Sequence, residues 1–321
     1  MNANFQKINE LYEQKIPFFF VINYDKTEIY FDTLENSKHS TDIFIQTSLF
    51  SNVIQNNKKQ DIELTKHPIP FNDYQQAFEN VLKEIKLGNS YLTNLTFETP
   101  IELNVDLKTV FFQATAKYKL YFKNQFVSFS PESFIKIEDN YIRAFPMKGT
   151  IDAHLPNAEK LIIENEKEKA EHYTIVDLLR NDLSKVAEKV SVNRFRYIEK
   201  ISTEKGEILQ VSSEIEGKIS PECQTKLGTL LNELLPAGSI CGAPKEKTIE
   251  IISETEMYKR GFYSGIFGVF DGKKVDTAVL IRFIENKNGN YFYKSGGGIT
   301  HQSNAEEEYN ELIQKIYVPV F

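Results

Sequence analysis

An α+β fold is what this sequence predicts, with long antiparallel strands kept apart from the helices rather than alternating with them in a doubly wound pattern. Two observations carry the prediction. Strand-like runs rich in aromatic and β-branched residues follow one another between about 88 and 151, again around 189–219, and in the final third of the chain. Helical spacing is confined to a few separate blocks.

The elements follow in order. IPFFFVINY (16–24) and EIYFD (28–32) read as paired strands, and the polar stretch NNKKQDIELTKHPIP as a linker or loop. A soft boundary falls near Ile69, separating a short strand-rich region (1–70), integrated into the fold, from the main domain (71–321). From Asp73 to Leu87, apolar Ala77, Phe78, Val81, Leu82 and Ile85 recur at the helical period, and Gly88 stands where a C-terminal cap belongs. One long helix is expected from Asn157 through Leu183, and further helices at about 222–235 and 245–258. GFYSGIFGVFD, KVDTAVLIRFIE and GNYFYKSGG read as a three-stranded meander, and a helix from about Ser303 to Tyr317 closes the chain.

At 321 residues, with 41% hydrophobic and 26% charged content, the chain can bury a substantial core. A net charge of −7 gives no basic footprint for nucleic acid or an anionic membrane, so an anionic ligand must be held by local cations. The N-terminal NANFQKINELYEQK lacks the features of a signal peptide, and no apolar run approaches the ~20 residues that span a bilayer. A cytoplasmic location is expected. The two cysteines, Cys223 and Cys241, stand in no metal-binding pattern and are expected to be reduced thiols.

Four clusters carry possible chemistry. In SFSPESF, Glu132 is separated from Lys148 of AFPMKGT by IKIEDNYIRAF, a hairpin that can bring its two ends together. Such a pair can be an acid and a nucleophile, but a salt bridge is the reading the residues alone favour. In EKEKAEHYTIVDLLRNDL, Glu168 and Glu171 share one helical face just where the helix must enter the core, near His172. In EEEYNELIQKIY, Glu308 and Glu311 repeat that spacing and Lys315 follows one turn later. Two helices each offering such a pair can supply a Mg²⁺ site or merely a solvated charged face. In the glycine-punctuated segments LLPAGSICGAPKEK, RGFYSGIFG and KSGGGIT, the last has three glycines that let backbone approach an anion or simply turn. No Walker A loop, GxGxxG, HExxH or Ca²⁺ loop occurs, which removes the common nucleotide and zinc readings.

SPESF, PMKGT, EKEKAEHYTIVDLLRNDL, GSICGAPK, RGFYSGIFG, LIRF, GGGIT and EYNELIQK run in this order from roughly Phe71 to Tyr317. The series resembles one family, the chorismate-utilising enzymes, which include anthranilate, aminodeoxychorismate, isochorismate and salicylate synthases. The resemblance implies an anthranilate synthase component I-like fold, two large antiparallel-rich sheets packed together with helices outside. Within the family, lysine in PMKGT is similar to the aminodeoxychorismate branch, whereas comparable anthranilate synthases carry alanine at the position of Lys148. The implied reaction is amination of chorismate to 4-amino-4-deoxychorismate, for p-aminobenzoate and folate synthesis, with ammonia from a separate glutaminase subunit, component II. Anthranilate synthase is the runner-up and isochorismate or salicylate synthase follows.

The resemblance further implies that Lys148 is the nucleophile and Glu132 the acid. It implies Glu171 and Glu311 as Mg²⁺ ligands, with Glu168 and Glu308 as nearer or water-mediated partners. Thr150, Tyr263, Arg282, Lys315 and the amides of Gly296 and Gly298 resemble the groups that hold the two carboxylates of chorismate. A nucleophilic Lys148 must be neutral, which requires its pKa to be lowered, and Glu132 must stay protonated. Three positions depart from the family pattern. Leu92 stands where water-using relatives carry a lysine and anthranilate and aminodeoxychorismate synthases usually a glutamine, so a water-activating base is missing. Gln210 stands where many have histidine, and Cys241 where a small hydroxyl is common.

Overall fold

The computed structural model describes residues 2–53, 60–203 and 206–320. The chain opens with α1 (Ala3–Glu13), which the sequence reading did not separate from its polar flank, then β1 (Phe18–Ile22), β2 (Ile29–Thr33), α2 (Leu34–Ser37), β3 (Ile43–Gln46) and β4 (Leu64–Lys66). Next come α3 (Phe71–Lys86), β5 (Leu92–Leu103), α4 (Leu107–Gln113), β6 (Tyr118–Phe122), β7 (Phe126–Ser130), β8 (Ser133–Glu138), β9 (Tyr141–Ala144) and β10 (Met147–Asp152). The middle holds α5 (Ala158–Glu164), α6 (Glu166–Leu183), β11 (Ala187–Thr203), β12 (Gly206–Ile219), α7 (Leu227–Leu234), β13 (Gly242–Ala243) and α8 (Lys245–Thr255). The last third is β14 (Ile266–Phe270), β15 (Val275–Val279), β16 (Phe283–Lys287), β17 (Asn290–Ile299) and α9 (Ala305–Gln314).

Among the described residues the strands form two antiparallel sheets. One holds nine strands in the order β10-β12-β9-β8-β15-β14-β1-β2, with β11 beside β12; the other holds eight in the order β13-β5-β17-β16-β7-β6-β3, with β4 beside β5. β1 shows why they stack. Its unbroken run FFFVI is buried on both faces: Phe19 and Val21 join Tyr118, Leu120 and Phe267 between the sheets, while Phe18, Phe20 and Ile22 pack outward with residues of α1, α6 and α7. A strand covered on both sides needs no polar alternation, and each such side chain contributes roughly 1.5–3 kcal/mol on burial. α3, α8 and α9 cover the outer face of the second sheet through Phe78, Val81, Ile251 and Leu312.

Several expectations hold and several are corrected. β1 and β2 pair as read, Phe18 opposite Thr33, and α3 ends at a left-handed Gly88 whose N–H donates to Ile85 O. The helix expected from 157 to 183 is two helices, because Asn165 leaves helical geometry and its side chain caps α6 by accepting from the Glu168 N–H. The stretch read as a linker contributes β4, paired with β5, and residues 54–59 lie outside the described residues. The expected meander is four strands divided between the sheets. β14 and β15 belong to the first and β16 and β17 to the second, with the chain crossing at Leu280–Arg282. There Leu280 N–H donates to Gly265 O, Arg282 O accepts from the Phe129 N–H, and Arg282 adopts φ 52°, uncommon for a side-chain-bearing residue. This crossing places an arginine between the sheets' ends.

Candidate active site

A cleft of about 380 Å³ lies where the two sheets part, and every residue singled out for chemistry lines it: Glu132, Lys148, Thr150, the four glutamates, Tyr263, Arg282, Gly296, Gly298 and Lys315. The β8–β9 hairpin forms, with Glu138 opposite Tyr141, and it returns Lys148 to the same cleft as Glu132. At PMKGT the register of β10 against β12 shifts between Met147 and Thr150, and Gly149 takes φ 86°. The added residue is a bulge, a device that re-aims a side chain. A Cβ at Gly149 would lie at an ordinary contact distance of 3.4 Å from Glu168 Oε2, so it is the positive φ rather than lack of space that calls for glycine here.

The salt bridge expected between Glu132 and Lys148 is not the one formed. Lys148 Nζ lies 2.5 Å from Glu171 Oε2. Burial pulls the lysine's pKa down, but Glu171, with Glu168 and Glu311 behind it, outweighs burial and the net shift is upward. In this arrangement Lys148 is an ammonium ion. Glu132 is the opposite case, because burial pushes its carboxyl up and a hydrogen bond with Ser239 opposes this. Ser239, in the GSICGAPK segment, was not singled out from sequence; nothing in its type distinguishes it from other turn serines. A carboxyl whose pKa burial raises keeps its proton to a higher pH than an exposed one, which suits it to donating a proton.

Glu132→Gln is expected to lower turnover by about 10²–10⁴-fold, the range for loss of a general acid. It should also raise the melting temperature at neutral pH. Because the folded pKa is raised, native protein binds more protons than unfolded protein above the ordinary glutamate range, and wild-type stability falls as pH rises through that window. Turnover and thermal melts across pH check both; melts with the same pH dependence in wild type and variant would contradict the assignment.

The glycines of KSGGGIT lie within β17, Gly296 opposite Thr96 and Gly298 opposite Asn94. β16 accompanies β17 only to Lys294, so beyond it that edge is open. Lys315 Nζ donates to Gly296 O at 2.8 Å on that edge. The N–H and C=O of one strand residue point the same way, and so do those two residues on. The Gly296 and Gly298 amides therefore face the cleft. A Cβ at Gly296 would come within 2.2 Å of Leu95 O, which explains glycine there.

Arg282 Nη1 donates to Lys315 O at 3.1 Å, and its guanidinium lies over the Tyr317 ring. Tyr263 is buried and its hydroxyl pKa is pushed up to about 12, so it stays a donor. His172, one residue beyond Glu171, is wholly buried, lies 2.7 Å from Ser213 Oγ through Nε2, and is held neutral by burial with a pKa of about 4. Cys241 is buried 3.7 Å from the Tyr24 hydroxyl, its pKa raised to about 11, and both cysteines are free.

The glutamates come from two helices packed on different sheets, α6 against β10 and β12, α9 against β17. Glu308 Oε1 accepts from Ser303 Oγ at 2.8 Å, and Glu311 Oε1 lies 2.7 Å from Lys315 Nζ. Four carboxylates around one cleft are the donor type a hard divalent cation requires. As they stand, no three acidic, histidine or cysteine side chains among the described residues are gathered closely enough to grip an ion. Glu171 and Glu311 are each engaged by a lysine.

Residues 4–320 match the chorismate binding enzymes. An uncharacterized PabA-like protein of Haemophilus influenzae is 50% identical over 315 residues, 98% of this chain and 96% of the relative. Aminodeoxychorismate synthase component 1 of Bacillus subtilis is 31% identical over 265 residues, 78% of this chain and 55% of the relative. Among solved structures, anthranilate synthase component I from Streptococcus pneumoniae superposes with a TM-score of 0.64 at 25% identity, covering 80% of this chain and 59% of that one. MenF, the menaquinone-specific isochorismate synthase of Escherichia coli, superposes with a TM-score of 0.71 at 13% identity, covering 98% of this chain and 79% of that one, and so shares the fold. With the match extending over nearly its whole length, the chain belongs to the chorismate-binding enzymes.

Proposed function

We propose that the protein is the chorismate-aminating subunit of an aminodeoxychorismate synthase, making the precursor of p-aminobenzoate and hence folate. The observation that supports this most is one cleft holding a lysine nucleophile candidate, Lys148, together with a buried carboxyl whose pKa is raised, Glu132. Arg282, Lys315 and the Gly296 and Gly298 amides would receive the two carboxylates of chorismate, the guanidinium fork matching one bidentately. Glu171 and Glu311, with Glu168 and Glu308 beside them, would hold Mg²⁺. When bound, the ion supplies positive charge to a substrate carboxylate and to the developing transition state.

Lys148 must shed its proton before reacting. A cation held by Glu171 would take up that carboxylate's charge and leave burial to act on the lysine with less opposition, favouring the neutral amine. Its lone pair then forms a bond to C2 of chorismate, the ring double bonds shift, and the C4–O bond breaks as Glu132 delivers its proton and water leaves. Ammonia next bonds to C4, the double bonds shift back, and the C2–N bond breaks with its electron pair returning to the lysine nitrogen. Two displacements replace one harder one.

The test uses purified protein, chorismate, Mg²⁺ and an ammonium salt at alkaline pH. The expected product is 4-amino-4-deoxychorismate without any partner, since amination is assigned to this chain and a glutaminase would only supply ammonia. Anthranilate as product would favour the anthranilate synthase reading, and no product without a glutaminase would count against both.

A further inference from the structure

We propose that His172 is a positioning residue for Lys148: from its place next to Glu171 on α6, its Nδ1–H takes the backbone carbonyl of the lysine and fixes the pivot about which the amine swings. The inference rests on the amination reading above. The need for such a residue arises in β10. Its bulge sets Lys148 and Gly149 against the single residue Val211 of β12, so the ladder cannot serve the backbone groups of both. A carbonyl left there, on a strand against which α6 packs, requires a donor from elsewhere.

His172 can supply that donor. Its ring is wholly buried, with Nε2 2.7 Å from Ser213 Oγ. Ser213 Oγ accepts the Arg196 N–H at 2.9 Å, which leaves its own hydrogen for Nε2 and places the ring's proton on Nδ1. Nδ1 is buried and meets no partner at full hydrogen-bonding geometry, while the backbone acceptor acting on the ring is that of Lys148. The bond is therefore loose while Nζ is drawn to Glu171, 2.5 Å away, and closes as the amine turns to chorismate. Ser213 also donates its N–H to Pro146 O at 3.0 Å, so one pair of buried side chains secures this segment at both Pro146 and Lys148. Glu171 and His172, adjacent on α6, thus grip the two ends of one lysine. A nucleophile whose backbone shifts by even 1 Å loses much of its rate, on the order of a hundredfold.

Nitrogen NMR of wild-type protein carrying isotope-labelled histidine gives the first test. Of the five histidines only His172 is buried, so its ring is the one shielded from solvent. Its proton should reside on Nδ1, and a proton on Nε2 overturns the assignment whether or not any variant folds. Two substitutions then separate the nitrogens. The amide of His172→Gln can reach the position of Nε2 and keep Ser213, whereas that of His172→Asn reaches only the position of Nδ1 and can keep the Lys148 carbonyl. With ammonium as the nitrogen source, His172→Gln should lower kcat roughly 10–100-fold with the KM for chorismate unchanged, and His172→Asn should recover most of that loss. Equal turnover in the two folded variants, or a loss carried by KM, overturns the positioning role. Wild-type protein that forms no ammonium-dependent product overturns the amination reading instead, while the Nδ1 proton still reports on the bond to Lys148.

Discussion

Lys148→Ala should abolish formation of 4-amino-4-deoxychorismate, turnover falling on the order of a thousandfold or more, while chorismate binding weakens little. The asymmetry follows from the division of labour in the cleft. Arg282, Lys315 and the open edge of β17 are the groups proposed to receive the substrate's carboxylates, whereas Lys148 projects from a bulge in β10 toward Glu171. Steady-state kinetics and chorismate titration separate the two effects. Intact mass of wild-type protein incubated with chorismate and Mg²⁺ but no ammonia should show an adduct that Lys148→Ala lacks. If Lys148 served only as a partly exposed partner of Glu171, its loss would cost at most ~1 kcal/mol of stability and leave turnover near wild type. Near-wild-type turnover would therefore remove the nucleophile assignment.

Glu171→Gln and Glu311→Gln should each weaken Mg²⁺ binding by about 10–100-fold or more, and at saturating chorismate each should nearly eliminate turnover. Glu171→Gln is the sharper experiment because it acts on two groups in opposite senses. It removes the carboxylate that does most to keep Lys148 protonated, which by itself would favour the neutral amine. It also removes a charge from the proposed ion shell. If no ion is needed, activity holds or rises; if the shell is needed, activity falls. A chelator should likewise stop turnover and lower the melting temperature, and full activity in its presence would end the metal assignment.

Much of the fold was legible because its signals are local. Aromatic and β-branched runs locate β1 and β2, the period-3.6 pattern locates α3 and α9, and Gly88 marks the end of α3 through backbone geometry that glycine adopts without strain. What escaped depends on which surface covers a segment. FFFVI cannot reveal from within that opposite faces meet different layers, and LIRF gives no sign that the chain changes sheets at Arg282. Asn165, a helix breaker only by virtue of its capping bond, looks like any polar residue within a long helical run. At the site, residue types and the i,i+3 spacing of glutamates were visible, but the partner of Lys148 was not. Glu132 is its neighbour across a hairpin, yet Glu171 is the carboxylate that α6 brings down on the bulge.

The placement of α6 on one sheet and α9 on the other gives an ion between them a mechanical meaning. Such an ion would be a reversible clasp between segments far apart in the chain, the role a disulfide fills in oxidising compartments and one that the two free, buried thiols do not fill here. Closed, the clasp would hold the strand bearing Lys148 and the strand presenting the Gly296 and Gly298 amides as one frame, so that a substrate spanning both meets a fixed gap. Opened, it would release the two layers to move independently, and the width of the cleft would become a variable set by the concentration of a free cation.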